Sequence, residues 1–123
     1  MKMKRLSTTC ALATLLLVAL SAPEMASAAG YGTFADCVRN SGAVMYGTSW
    51  CPLCRAQRKD FRGYANRLEY VECSIPGSRK TRSKCERLGV DSFPTWIFGD
   101  GAKREGKLSV SDIASHTGCA MPN

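Results

Sequence analysis

Histidine is nearly absent from this sequence: 123 residues contain one, His116. A surface position on a last helix accounts for it, with a favourable helix-dipole contact at most. Long apolar runs are missing as well. Residues 10–20 are apolar apart from Thr14, and 11 residues are too few to cross a bilayer core comfortably. No repeat, long linker or low-complexity stretch interrupts residues 29–123. A second C-x-x-C is absent too, which argues against a zinc site, since zinc usually takes two close pairs of ligands. Acidic residues are the minority, 10 against 17 basic ones, for a net charge of +7.

What is present begins with an N-terminal pattern. Lys2, Lys4 and Arg5 precede the apolar run, and Ala26-Ser27-Ala28 follows it in small-x-small form. These are the parts of a secretory signal peptide, expected to occupy residues 1–28 with cleavage after Ala28. An uncleaved anchor is the alternative. Residues 29–123 leave room for one small domain with a net charge of +5. Its basic residues are scattered, with one group at Arg55, Arg58 and Lys59 and another at Arg79, Lys80, Arg82 and Lys84. A solvated basic face explains such runs more simply than nucleic-acid binding, and no nucleic-acid partner is expected of an exported chain.

Cysteine is plentiful. Beyond Cys10 in the leader there are six: Cys37, Cys51, Cys54, Cys73, Cys85 and Cys119. An even number in a small exported domain implies disulfides, which a small core benefits from. Six cysteines allow 15 pairings, so spacing alone leaves the connectivity open. Cys37 lies on the first expected helix and Cys119 just after the last, so a structural disulfide is expected there, with two buried thiols as the alternative. Cys73 and Cys85 flank a turn containing Pro76-Gly77 and are expected to form a second disulfide. That pair serves either as a staple or as a relay of electrons to Cys51 and Cys54.

Local patterns predict the order αβαβαββα, an α/β arrangement. Thr33 caps a helix over Phe34–Asn40, and Ala43–Tyr46 is a buried strand. A helix runs from Pro52 to about Arg67, with Phe61, Tyr64 and Leu68 facing the core. Leu68–Cys73 is a strand and Arg79–Leu88 a basic helix stopped by Gly89. Thr95–Phe98 and Ala102–Glu105 form a hairpin about Asp100-Gly101. Ser109 and Asp112 open a final helix to about His116 as capping residues.

The segment Trp50-Cys51-Pro52-Leu53-Cys54 carries the chemistry. A cysteine at a helix start sits where unpaired N–H groups and the helix dipole favour a thiolate. The thiolate is the nucleophile of disulfide exchange. A second cysteine three residues on lies on the same face and can attack the mixed disulfide so formed. Pro52 restrains the turn without supplying a competing N–H. A purely structural C-x-x-C disulfide is the plain alternative. No cofactor or metal is called for.

Tyr46–Gln57, Tyr70-Val71-Glu72-Cys73 and Gly89–Trp96 together resemble the thioredoxin superfamily. They are most similar to the thioredoxin-like domain fused to bacterial and plant vitamin K epoxide reductase homologues. The resemblance covers roughly residues 33–118, and the domain is expected to stand alone, without a four-helix membrane part. It implies a thioredoxin-like fold, a single small domain with a central mixed sheet flanked by helices. It implies Cys51 and Cys54 as the redox pair, Pro94 as a cis-proline facing them, and a substrate groove formed by Trp50, Pro52, Phe93 and Pro94. The implied role is oxidative protein folding in a bacterial periplasm or thylakoid lumen. A monomer would act on cysteine-containing exported proteins and pass electrons to a membrane vitamin K epoxide reductase-like partner. Two departures stand out. Leu53 replaces the His or Tyr of many oxidising relatives, and Met45 occupies the strand position of the thioredoxin-type buried acid. A reductant for exported proteins and a disulfide-stapled binding module are the competing functions.

Overall fold

Four short segments pair into one sheet in the computed structural model, which describes residues 30–123. The expected signal peptide, residues 1–28, lies outside the described residues. β1 (Val44–Gly47) is central and pairs in parallel with β2 (Glu69–Glu72) and antiparallel with β3 (Thr95–Ile97). β3 pairs antiparallel with β4 (Lys103–Glu105), giving the order β2-β1-β3-β4. Four α-helices accompany the strands: α1 (Tyr31–Asn40), α2 (Pro52–Lys59), α3 (Ser83–Arg87) and α4 (Val110–Thr117). The domain is α/β with a mixed four-stranded sheet, a thioredoxin-like fold.

The period-two alternation of strand side chains divides the core. Met45 and Trp96 are paired across β1 and β3 and lie in one apolar cluster with Phe34 and Val38 of α1, Cys54 of α2 and Ile113 of α4. Phe34, Phe61, Trp96 and Phe98 form a continuous run of ring contacts, with centroids 5.7–6.4 Å apart. Tyr46, one residue along β1, belongs to a second cluster with Cys73, Cys85 and Val90. The two disulfides join the ends of these layers. Cys37 on α1 is bonded to Cys119 after α4, and Cys73 after β2 to Cys85 on α3.

The structure corrects three local expectations. α1 starts at Tyr31 with Gly30 as its N-cap and no side-chain cap, so Thr33 lies inside the helix. α2 ends at Lys59, because Arg62 and Gly63 both take positive φ, 51° and 90°, and turn the chain away. Only a short 3₁₀ turn, Ala65–Arg67, follows. Phe61 and Leu68 are still buried, but Tyr64 is 40% exposed and lies under the Arg67 guanidinium. Helical spacing ceases to govern it once the helix has stopped. The basic helix is also shorter than expected. Residues 79–82 form part of a loop held by the Ser74–Thr81 bridge and by the Arg82 N–H donating to the Cys73 carbonyl at 2.9 Å. The last helix is capped as expected, Ser109 Oγ accepting from the Asp112 N–H at 3.0 Å, with Gly118 left-handed at its end.

A buried glutamine ties α2 to the rest. Gln57 Oε1 accepts from the Trp96 indole N–H at 3.2 Å and from the Leu108 N–H at 2.7 Å, while Nε2 donates to the Leu108 carbonyl at 3.0 Å. Gln57→Leu keeps the volume but leaves both N–H groups unpaired in the core. At about 1–3 kcal/mol for each orphaned group, the expected loss is roughly 2–6 kcal/mol, measurable as a lower denaturant midpoint. A midpoint equal to wild type would show that the two groups find other partners.

Candidate active site

The turn from β1 into α2 places Cys51 and Cys54, the two free cysteines among the described residues. Cys51 is the N-cap of α2 in extended conformation, and Pro52 occupies the first helical turn, where no N–H is needed. The Cys54 N–H donates to Cys51 Sγ at 3.3 Å. Negative charge on that sulfur is therefore met by a backbone donor and by the positive end of the helix. On its other side the Cys51 thiol donates to the carbonyl of Phe93 at 3.5 Å. The Phe93–Pro94 peptide bond is cis, and Pro94 is buried beside β3. Trp50 is 64% exposed and meets Phe93 edge to face, centroids 6.4 Å apart. Cys51, Phe93 and Trp50, distant in sequence, thus come together where the central strand β1 ends and β3 begins. Leu53 projects outward beside them.

Cys54 is 1% exposed, against 6% for Cys51. Its thiol is pushed up to about 12, first by burial, then by its hydrogen bond with Cys51, with the charges of Cys51 and Glu72 adding to the effect. The Thr48 backbone acts in the opposite direction. The packing leaves little room here: a Cβ on Gly47 would lie 3.0 Å from both Cys54 Sγ and the Tyr70 ring. Only glycine suits this point on β1.

Glu72 was not singled out by its sequence context, yet it organises the neighbourhood of Cys54. Its carboxylate accepts from the Tyr70 hydroxyl at 2.7 Å, from the Ser49 N–H at 3.0 Å, from the Ser74 N–H at 3.2 Å and from the Ser74 hydroxyl. Burial alone would raise its titration, but these hydrogen bonds, Ser74 and Tyr70 foremost, hold it below the ordinary carboxylate range. Tyr70 is pushed above the usual tyrosine range by burial and by that same bond. Met45 lies on β1 and is fully buried. A carboxylate instead reaches the site from β2, because the parallel register sets Gly47 opposite Glu72.

Other candidates lie elsewhere. His116 stacks on Phe98 at 4.5 Å. Among the described residues no group of three or more His, Cys, Asp or Glu side chains is placed to hold a metal ion. No described helix is long and apolar enough to cross a membrane.

No protein-family model matches the chain. Compared with curated proteins, it is 36% identical over 84 residues to the thiol-disulfide oxidoreductase LTO1 of Arabidopsis thaliana. The match takes in 65% of this chain and 22% of that protein, so the chain spans about a fifth of its relative's length. The similarity supports a relation of this chain to the thiol–disulfide oxidoreductases.

Proposed function

We propose that the chain is an exported thiol–disulfide oxidoreductase in which Cys51 exchanges with substrate cysteines and Cys54 resolves. The observation that carries this is the asymmetry of the pair. Cys51 sits at the helix start under the Phe93 carbonyl, whereas Cys54 is buried behind it with its proton held on. In the oxidising direction a substrate thiolate attacks Cys51 Sγ, the Cys51–Cys54 bond breaks, and Cys54 leaves as a thiolate and takes up a proton. A second substrate thiolate then attacks the substrate sulfur of the mixed disulfide. A substrate disulfide departs, and two electrons remain on the enzyme as two thiols. A membrane quinone-linked reductase of the vitamin K epoxide reductase type is the proposed acceptor for them. The proposed setting is a bacterial periplasm or thylakoid lumen.

Leu53 favours a second direction. It is half exposed beside Cys51 and offers no charge or hydrogen bond to a thiolate, which suits a reductant better than a strong oxidant. Disulfide pairs of this kind span about −120 to about −270 mV. Equilibration against glutathione buffers, with alkylation of the cellular protein, decides between the two. A potential near the upper end with an oxidised cellular pair supports oxidation, and one near the lower end with a reduced pair supports reduction. A Cys51–Cys54 disulfide that resists mild reductant would leave only a stapled binding module.

The high titration of Cys54 predicts a pH dependence. Well below a thiol's pKa, the thiolate fraction rises tenfold per pH unit. Release of a mixed disulfide by Cys54 should therefore accelerate steeply across pH 6–9. Bonding of Cys51 to substrate removes two of the influences that raise Cys54, so the midpoint should fall below the value for the dithiol. Rapid-quench measurement of the release step checks this; a flat profile would mean that proton loss from Cys54 does not limit it.

A further inference from the structure

The loop between β2 and α3 is basic and shares a cavity with Trp50 and Phe93, the neighbours of Cys51. Between Cys73 and Cys85 the chain carries Arg79, Lys80, Arg82 and Lys84 and no acidic residue. A cavity of about 180 Å³ is lined by Arg79 and Lys80 from this loop and by Trp50 and Phe93 from the surroundings of Cys51. Thr48 lines it as well, and its hydroxyl is buried, the residue being 3% exposed, without a hydrogen-bond partner.

We propose that this loop is a basic wall of the substrate groove, selecting peptides whose reactive cysteine is flanked by Asp or Glu. The inference rests on the exchange function proposed above and names its substrate class. Three observations support it. The wall is held in place: the Cys73–Cys85 bond closes its ends, the Ser74–Thr81 bridge narrows it, and Arg82 Nε donates to the Ser74 carbonyl at 2.9 Å. Its basic groups form no ion pair, since those among the described residues join Asp36 to Arg39 and Arg67 and Asp60 to Lys107. Glu72 keeps its negative charge but directs its oxygens to Ser49, Tyr70 and Ser74, and neither it nor the exposed Asp91 is paired with the loop. Exposed Arg55, which donates to the Ser49 carbonyl, adds a further positive charge near Trp50. A peptide lying on Trp50 and Phe93 would put its cysteine at Cys51 and a neighbouring carboxylate within reach of Arg79, whose planar fork suits it.

The test mixes the oxidised chain with an excess of each of three single-cysteine peptides of one sequence, flanked by Glu, Gln or Lys, and follows the rate at which the Cys51–Cys54 bond is reduced. The Glu peptide should react about tenfold or more faster than the Lys peptide at low salt, as charge-steered encounters do. The difference should collapse at 0.5 M NaCl, an arm that needs no variant. In Arg79→Glu/Lys80→Glu the order should invert, and a preserved Glu preference in a folded variant would overturn the proposal. Uncharged dithiothreitol separates the two levels of inference. If it cannot reduce the Cys51–Cys54 pair of the unaltered chain, the exchange function fails. If it can, and the three peptides react alike, only the basic wall fails. A single-stranded oligonucleotide that binds while the peptides are not distinguished would assign the wall to nucleic acid and overturn the proposal too.

Discussion

Cys51→Ser is expected to abolish disulfide exchange, and Cys54→Ser to convert the protein into a trap for its substrates. The two outcomes follow from geometry rather than from the mere presence of two thiols. Cys51 alone has the helix-terminal N–H donor and the groove beside Phe93, so a serine there leaves no accessible nucleophile. Cys54 lies beneath, 1% exposed, and meets a mixed disulfide only from within. Its loss should leave formation of that species intact while its release waits for an external thiol. Insulin reduction by the variants, with non-reducing gels and mass spectrometry of adducts, reads both effects. Wild-type turnover in Cys51→Ser would remove the basis of the proposed mechanism.

Replacing Cys37 and Cys119 together by serine should cost more stability than replacing Cys73 and Cys85. The bond joins residues 82 positions apart and so constrains nearly the whole described chain when unfolded. On the chain-entropy argument a loop of that length contributes about 4.5 kcal/mol, against a total of about 5–15 kcal/mol for an ordinary domain. At about 4–8 °C per kcal/mol for a domain of this size, the melting temperature should fall by roughly 18–36 °C. The Cys73–Cys85 bond, 12 positions apart, should contribute nearer to 3 kcal/mol. Calorimetry of the two double variants gives the order directly; an unchanged melting temperature for the first would show that the α1–α4 contact holds without the bond.

The parts of this protein that could be read from sequence are those whose cause is local. A proline after Cys51, a cysteine one turn on, Asp-Gly between two strands and Ser109 ahead of Asp112 each determine their own neighbourhood. The fold class followed from the order of such segments. What could not be read depends on partners far along the chain. Glu72 looks like a solvent-facing strand residue until β2 is set parallel to β1, which brings it to the loop carrying Ser49. Gln57 looks like an exposed helical position until the chain returns 51 residues later with Leu108. The sequence predicts a longer α2 because Arg62 is a good helix former, whereas its positive φ reflects the reversal that seats Phe61 against Phe34. The basic stretch 79–82 has helical composition, but the bond at Cys85 and the bridge at Thr81 hold it as a loop.

Cys73 and Cys85 have no solvent-exposed surface at all, and this bears on how such a protein survives its own chemistry. Thiol–disulfide exchange is indiscriminate at the level of the sulfur atom: any thiolate that can line up behind a disulfide will open it. A carrier of exchangeable disulfides is therefore continually offered the chance to scramble its own. Enclosing the bridge that supports the reactive loop makes the difference between the two kinds of bond one of access. On the staple reading the working pair cycles while the frame beside it passes through the same encounters unaltered; a relay would require the bridge to open toward the cavity that Cys73 lines.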